Sequence, residues 1–234
     1  NTSNKGFDTF AGVSAKLIDN AGQQFSRGFV DAAVGPSLTS FTVPADDVRS
    51  GWLTFEVPQT SAPQRFQWDL GALASSGDVA QWDLTAPRQD PGALAPAAPP
   101  AVPLGTAATV TGSDEVPFEL TVNQVVDNVQ PEFGTPTAGT RLLAVQVTLH
   151  NVGTGPIDEF PEGNLEIIDA LGQQYAPTFL DSSAGPGFDG EVKLSPGDSR
   201  TGFMTFELPT DVTPLKLSGV YVVAGGDAVS MALA

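Results

Sequence analysis

The sequence predicts an all-β protein built from two immunoglobulin-like β-sandwich units, the first lacking its N-terminal strands. Three observations carry this. Apolar and polar residues alternate with a period of two in segment after segment. Turn-forming residues separate those segments at short intervals, in a chain with 25 Gly and 20 Pro against 16% charged residues. Finally, two blocks of sequence occur twice in the same order, the mark of an internal repeat.

The repeat fixes the boundaries. Ile167 to Tyr175 (IIDALGQQY) matches Leu17 to Phe25 (LIDNAGQQF) at an offset of 150, which Phe160 and Phe10 also obey. Arg200 to Pro209 (RTGFMTFELP) matches Arg49 to Pro58 (RSGWLTFEVP) at an offset of 151. The first unit, residues 1–86, places Leu53, Phe55 and Val57 on one strand face and Phe66, Trp68 and Leu70 on another, with a turn at 19–22. Residues 87–103 hold six prolines and read as a semi-rigid linker in extended geometry.

The second unit, residues 104–234, opens with strands that the first does not have. Phe118, Leu120 and Val122 alternate with Glu119 and Thr121, and Leu143, Val145, Val147 and Leu149 alternate with Ala144, Gln146 and Thr148. Met204, Phe206 and Leu208 form a further apolar face, and turns fall at 169–172 and 195–198. Seven or eight strands in such a length fit two sheets packed face to face. The first unit begins at the counterpart of Asn151, so Leu104 to His150 have no equivalent there. An uncovered sheet edge is expected, to be filled by upstream residues or by another chain.

The second unit resembles a bacterial domain family of unknown function, found on secreted proteins and lipoproteins and related in fold to the mycobacterial immunoprotective extracellular antigen. The carrying residues are the strand Leu142 to Gly153 ending in Asn-Val-Gly, the Leu165 to Asp169 strand with its Gly172 to Tyr175 turn, and Leu194-Ser-Pro-Gly before Gly202 to Pro209. The resemblance implies an immunoglobulin-like sandwich outside the cytoplasmic membrane, and it brings no catalytic residues with it.

Composition excludes several classes. A net charge of −17 repels phosphate backbones and anionic membrane surfaces, so no nucleic acid is expected as a partner. Cysteine is absent, which removes disulfides, thiolate metal sites and cysteine nucleophiles. There is no apolar run of eighteen residues, so no membrane insertion is expected, and the start at Asn1 suggests that a targeting segment has been removed. No phosphate loop, dinucleotide fingerprint or zinc spacing occurs.

The candidate chemistry is thin. His150 is the sole histidine and falls on the polar side of its strand, where a surface role is expected. Asp158, Glu159, Glu162 and Glu166 are the densest carboxylate group. Carboxylates in a loop are weak candidates for a calcium site, or for the acid and base of a hydrolase, and the preferred reading is a hydrated surface. Their counterparts Asp8, Thr9, Gly12 and Lys16 are not all acidic, so the fold itself does not require the cluster. Trp52, at the same repeat position as Phe203, is a candidate partner-binding aromatic, while Trp68 and Trp82 are expected in a core.

The function expected is that of a non-catalytic, secreted or cell-envelope binding or assembly module. No cofactor is expected. The partner would be another protein or a further copy of the chain, with strand exchange as one route.

Overall fold

The computed structural model describes the chain except residues 3–6, 11–13, 29–34, 39, 70–78, 88–95, 113–114, 189 and 224–227, and the side chains of 7–10 and 40–41. Leu70, Gly12 and the side chains of Asp8, Thr9 and Phe10 therefore lie outside the described residues. The protein is nearly all β.

The first unit holds β1 (Phe7–Phe10), β2 (Ala15–Asp19), β3 (Gln24–Ser26), β4 (Ser40–Val43), β5 (Pro63–Asp69) and β6 (Val79–Asp83). Four of these make an antiparallel sheet in the order β3-β2-β5-β6, and β1 pairs with β4.

The second unit holds β7 (Ala108–Thr111), β8 (Pro117–Val129), β9 (Thr140–Asn151), β10 (Ile157–Glu159), a helical turn α1 (Pro161–Asn164), β11 (Leu165–Asp169), β12 (Gln174–Tyr175), β13 (Val192–Leu194), β14 (Ser199–Pro209), β15 (Pro214–Val223) and β16 (Ala228–Ala232). More and shorter strands form than the sequence predicts, because β10, β12 and β13 are pairings of two or three residues beside loops, too short for a period to register.

The ladder runs β12-β11-β15-β7-β8-β9-β14, with β16 also on β15. Its two ends supply opposite walls of one core. Leu165, Ile167, Leu217, Val229 and Met231 come from one wall, and Leu120, Val122, Val145, Val147, Met204 and Phe206 from the other, all 0% exposed. Phe118 and Tyr221 meet edge to face across it, with centroids 5.1 Å apart. The alternation read from the sequence is what fills this core: successive residues of a strand point to opposite faces.

The same pairing geometry recurs in the two units. Leu17 sits opposite Phe66 and Phe25, as Ile167 sits opposite Leu217 and Tyr175. Both ladders shift register at the same place, between Ile18 and Asp19 and between Ile168 and Asp169. In each turn the aspartate Oδ1 accepts two backbone N–H groups, from Ala21 and Gln23 and from Leu171 and Gln173, at 2.8–2.9 Å. Gly22 and Gly172 both take φ of +78°, the left-handed conformation such a turn demands.

The proline-rich segment is not a free spacer over its described C-terminal part. Ala97 N–H donates to Ala170 O, Ala101 and Val102 N–H both donate to Ser230 O, and Val102 O accepts from Ala232 N–H. Docking of this kind satisfies backbone groups that an isolated extended segment would leave to water. The two units also touch directly: Ser50 N–H donates to Gly172 O at 2.8 Å. A methyl group on Gly172 would stand 2.6 Å from Val48 O, so this approach needs glycine.

Candidate functional site

The strand that the two units share most closely in sequence behaves differently in each. In the second unit Ser199–Pro209 is β14, paired antiparallel with β9 residue by residue from Ser199 opposite His150 to Pro209 opposite Thr140. In the first unit its counterpart, 49–58, forms isolated bridges in place of a strand. One side is common to both: Trp52 N–H donates to Pro36 O and Gly28 N–H to Thr54 O, as Phe203 N–H donates to Pro186 O and Thr178 N–H to Thr205 O. On the side β9 occupies in the second unit, the backbone groups of Leu53, Phe55 and Val57 have no backbone hydrogen-bond partner among the described residues.

The side chains repeat the contrast. Met204, Phe206, Leu217 and Met231 are all 0% exposed in the second unit. Their counterparts Leu53, Phe55 and Phe66 are half-buried, and Trp82 is 48% exposed. Phe66 links Phe55, Trp68 and Trp82, with ring centroids at 6.2, 6.2 and 5.4 Å. One face of the β3-β2-β5-β6 sheet thus carries Leu17, Phe66 and Trp68 half-buried and Trp82 exposed, with Phe55 of the 49–58 segment against Phe66. The sequence expectation of a core location fails for Trp82. It occupies the position in its strand that Met231 occupies in β16, opposite Phe66 as Met231 is opposite Leu217.

Trp52 lies on the other side of its strand. An added methyl at Gly35 would stand 2.5 Å from its Nε1, and one at Gly185 would stand 2.8 Å from the Phe203 ring, so both aromatics lie over a loop glycine. Phe203 is buried, with the 185–187 loop against it. Trp52 remains 49% exposed.

The four carboxylates do not converge. Asp158 accepts from Lys193 Nζ at 2.7 Å on the surface, where Lys193 also meets Glu191 at 3.0 Å. Glu159 points the other way on β10 and is buried, with Asn164 Nδ2 donating to its Oε2 at 3.3 Å, so the hydrated reading fails there. Glu162 lies on α1, half-buried. Glu166 accepts from Gln174 Nε2 at 2.7 Å, and its carboxyl is raised above the ordinary range, chiefly by burial. Among the described residues no three His, Asp or Glu side chains form a metal-ligand group.

Beside Glu159 lies a depression of 330 Å³ lined by Thr111, Gly112, Asn164, Val220, Tyr221 and Val222. Burial pushes the Tyr221 phenol up, and a methyl at Gly112 would overlap Glu159 Oε1. These contacts close a buried polar corner of the second unit.

His150 is half-buried, and its Nδ1 lies 2.6 Å from Ser199 Oγ, with Glu119 opposite it on β8. The three form a row across adjacent strands, in line with the Thr201 and Thr148 hydroxyls at 2.7 Å. Periodicity places His150 on this face but does not reveal the serine, because cross-strand register is tertiary information.

Residues 113–227 match the model of a domain of unknown function, DUF4352. No protein with a curated description matches the chain. Among solved structures it is similar to the secreted protein MPT63 of Mycobacterium tuberculosis, at 20% identity over 58% of this chain and 99% of that one, TM-score 0.45. It is also similar to the Bacillus subtilis lipoprotein ycdA, at 14% identity over 54% of this chain and 38% of that one, TM-score 0.40. An uncharacterized β-sandwich protein of Clostridium difficile 630 is 14% identical over 63% of this chain and 99% of its own, TM-score 0.37. No helix among the described residues is long and apolar enough to cross a membrane.

Proposed function

We infer, from a second unit that is a DUF4352 domain and a first unit with the pairing geometry of only part of it, that this is a non-catalytic binding or assembly module working outside the cytoplasmic membrane. The two units are read as copies of one sandwich, the second complete and the first offering its uncovered sheet as the binding face.

The observation that carries this reading is the exposure of Trp82 against the complete burial of Met231 at the same place in the pairing register. Core positions left open on a stable scaffold are where a partner gains most from apolar burial. The second unit then serves as the anchor to which the first is fixed. A location outside the cytoplasm is what the family resemblance of the second unit implies.

Catalysis is not part of the proposal. Ser199 and His150 sit side by side on the β9–β14 ladder, a cross-strand pair of the same kind as the neighbouring Thr148 and Thr201 hydroxyls.

The experiment is acrylamide quenching of tryptophan emission. All three tryptophans, Trp52, Trp68 and Trp82, lie in the first unit, so the signal reports on that unit alone. Efficient quenching in the free protein, reduced by Trp82→Phe, is the expected result. Tryptophans wholly shielded from quencher would overturn the open-face reading.

A further inference from the structure

Resting on that reading, we propose that the occupant of the open face is a two-stranded β-hairpin with the chemistry of β8–β9, whose inner strand pairs antiparallel with residues 49–58 and completes the sandwich of the first unit.

The second unit shows how such a face is filled. Phe203 N–H and Thr205 O point to the 177–187 loops, so the alternate residues Met204 and Phe206 turn their backbone groups to β9, opposite Val145 and Leu143. Leu53 and Phe55 are the same residues of the first unit, with those groups unpartnered among the described residues. An incoming strand in this register puts apolar side chains beside Phe55 and facing Phe66 and Trp82, as β9 lies beside Phe206 and faces Leu217 and Met231 in the second unit.

Charge narrows the partner. The chain carries −17, and Glu56, the counterpart of Glu207, is exposed on the edge. In the second unit Glu207 accepts from the Thr140 hydroxyl and the Thr137 N–H at the start of β9. Strand 140–151 has Arg141 and no carboxylate. The occupant's inner strand is therefore uncharged or basic, with a hydroxyl residue at its leading end to meet Glu56.

The test adds a synthetic peptide of residues 117–151 to the full chain and follows tryptophan emission. Saturable binding with a blue shift is expected, and N-methylation at the Leu143 and Val145 positions, which deletes two edge hydrogen bonds, should weaken it roughly tenfold or more. Leu53→Pro, which removes one N–H from the edge, should weaken binding of the unmodified peptide as well. If that variant loses the fold of the first unit, the methylated peptide still decides the matter. Equal binding of both peptides would mean apolar adhesion without strand pairing and would overturn the proposal. So would no response from a chain whose tryptophans are quenched, leaving the binding-face reading intact. A stable dimer with shielded tryptophans would assign the face to a second copy and overturn the hairpin.

Discussion

Lys216 Nζ donates to Asp47 Oδ2 at 2.7 Å, and each side chain is only 1% exposed. The two residues belong to different units. Arg49 Nη1 reaches the same carboxylate oxygen at 2.7 Å, and Ala98 N–H, from the proline-rich segment, donates to Oδ1 at 2.8 Å. One buried aspartate thus ties the first unit, the connecting segment and β15 of the second.

The pH dependence follows from this contact. Burial alone would raise the Asp47 carboxyl, but the hydrogen bonds from Lys216 and Arg49, the Arg49 charge and the Ala98 N–H outweigh it and hold it down to about 2. A depressed native value means stability that is present above the ordinary carboxylate range and lost as pH falls from about 4 towards 2, on the order of 2 kcal/mol. Thermal melts of the protein and of Asp47→Asn should differ less at pH 2 than at pH 7. A constant difference would contradict the assignment.

Breaking the pair should cost more than removing it. Lys216→Met leaves a buried carboxylate with only Arg49 as its charged partner, and Asp47→Leu leaves two buried cations, each costing about 3–5 kcal/mol. The double variant, which leaves Arg49 as the one buried cation of the group, should lie closer to the parent than Asp47→Leu in urea melts. Additive losses would show that the two charges are not coupled.

Proline at equivalent strand positions should separate the units. Met204→Pro deletes an N–H bonded to β9 within a buried wall and should destabilise by about 3 kcal/mol or more. Leu53→Pro removes an N–H with no backbone partner among the described residues and should cost clearly less. Hydrogen exchange of β8 and β9 amides reads the first change. Equal losses would mean that the 49–58 edge is paired after all.

Asn151 should be a stability determinant. It is fully buried, with Nδ2 donating to Gly155 O and Leu194 O at 2.9 and 3.0 Å and Oδ1 accepting from Gly153 N–H at 2.9 Å. Asn151→Ala strands buried backbone groups and should cost about 1–3 kcal/mol, checked by the midpoint of chemical denaturation.

Ser199 should not react as an activated nucleophile. A fluorophosphonate probe is expected to leave the protein unlabelled, and labelling lost in Ser199→Ala would reinstate the hydrolase alternative.

Local sequence suffices to show which residues alternate, where the turns fall and which segments share one pattern. A two-residue period and aspartate-glycine turns are local, so β2, β3, β11 and β14 are legible in short windows. What each face meets depends on tertiary contacts. RSGWLTFEVP and RTGFMTFELP carry nearly the same pattern, yet only the second becomes a full strand, because a ladder requires a neighbour and the neighbour lies some fifty residues earlier in the chain. Trp82 is exposed and Met231 buried at the same place in the pairing register, and tertiary packing sends Asp158 to Lys193 while Glu159 turns inward. The Asp47–Lys216 contact is legible in no window of sequence, since it joins residues 169 positions apart whose meeting depends on how two sheets dock.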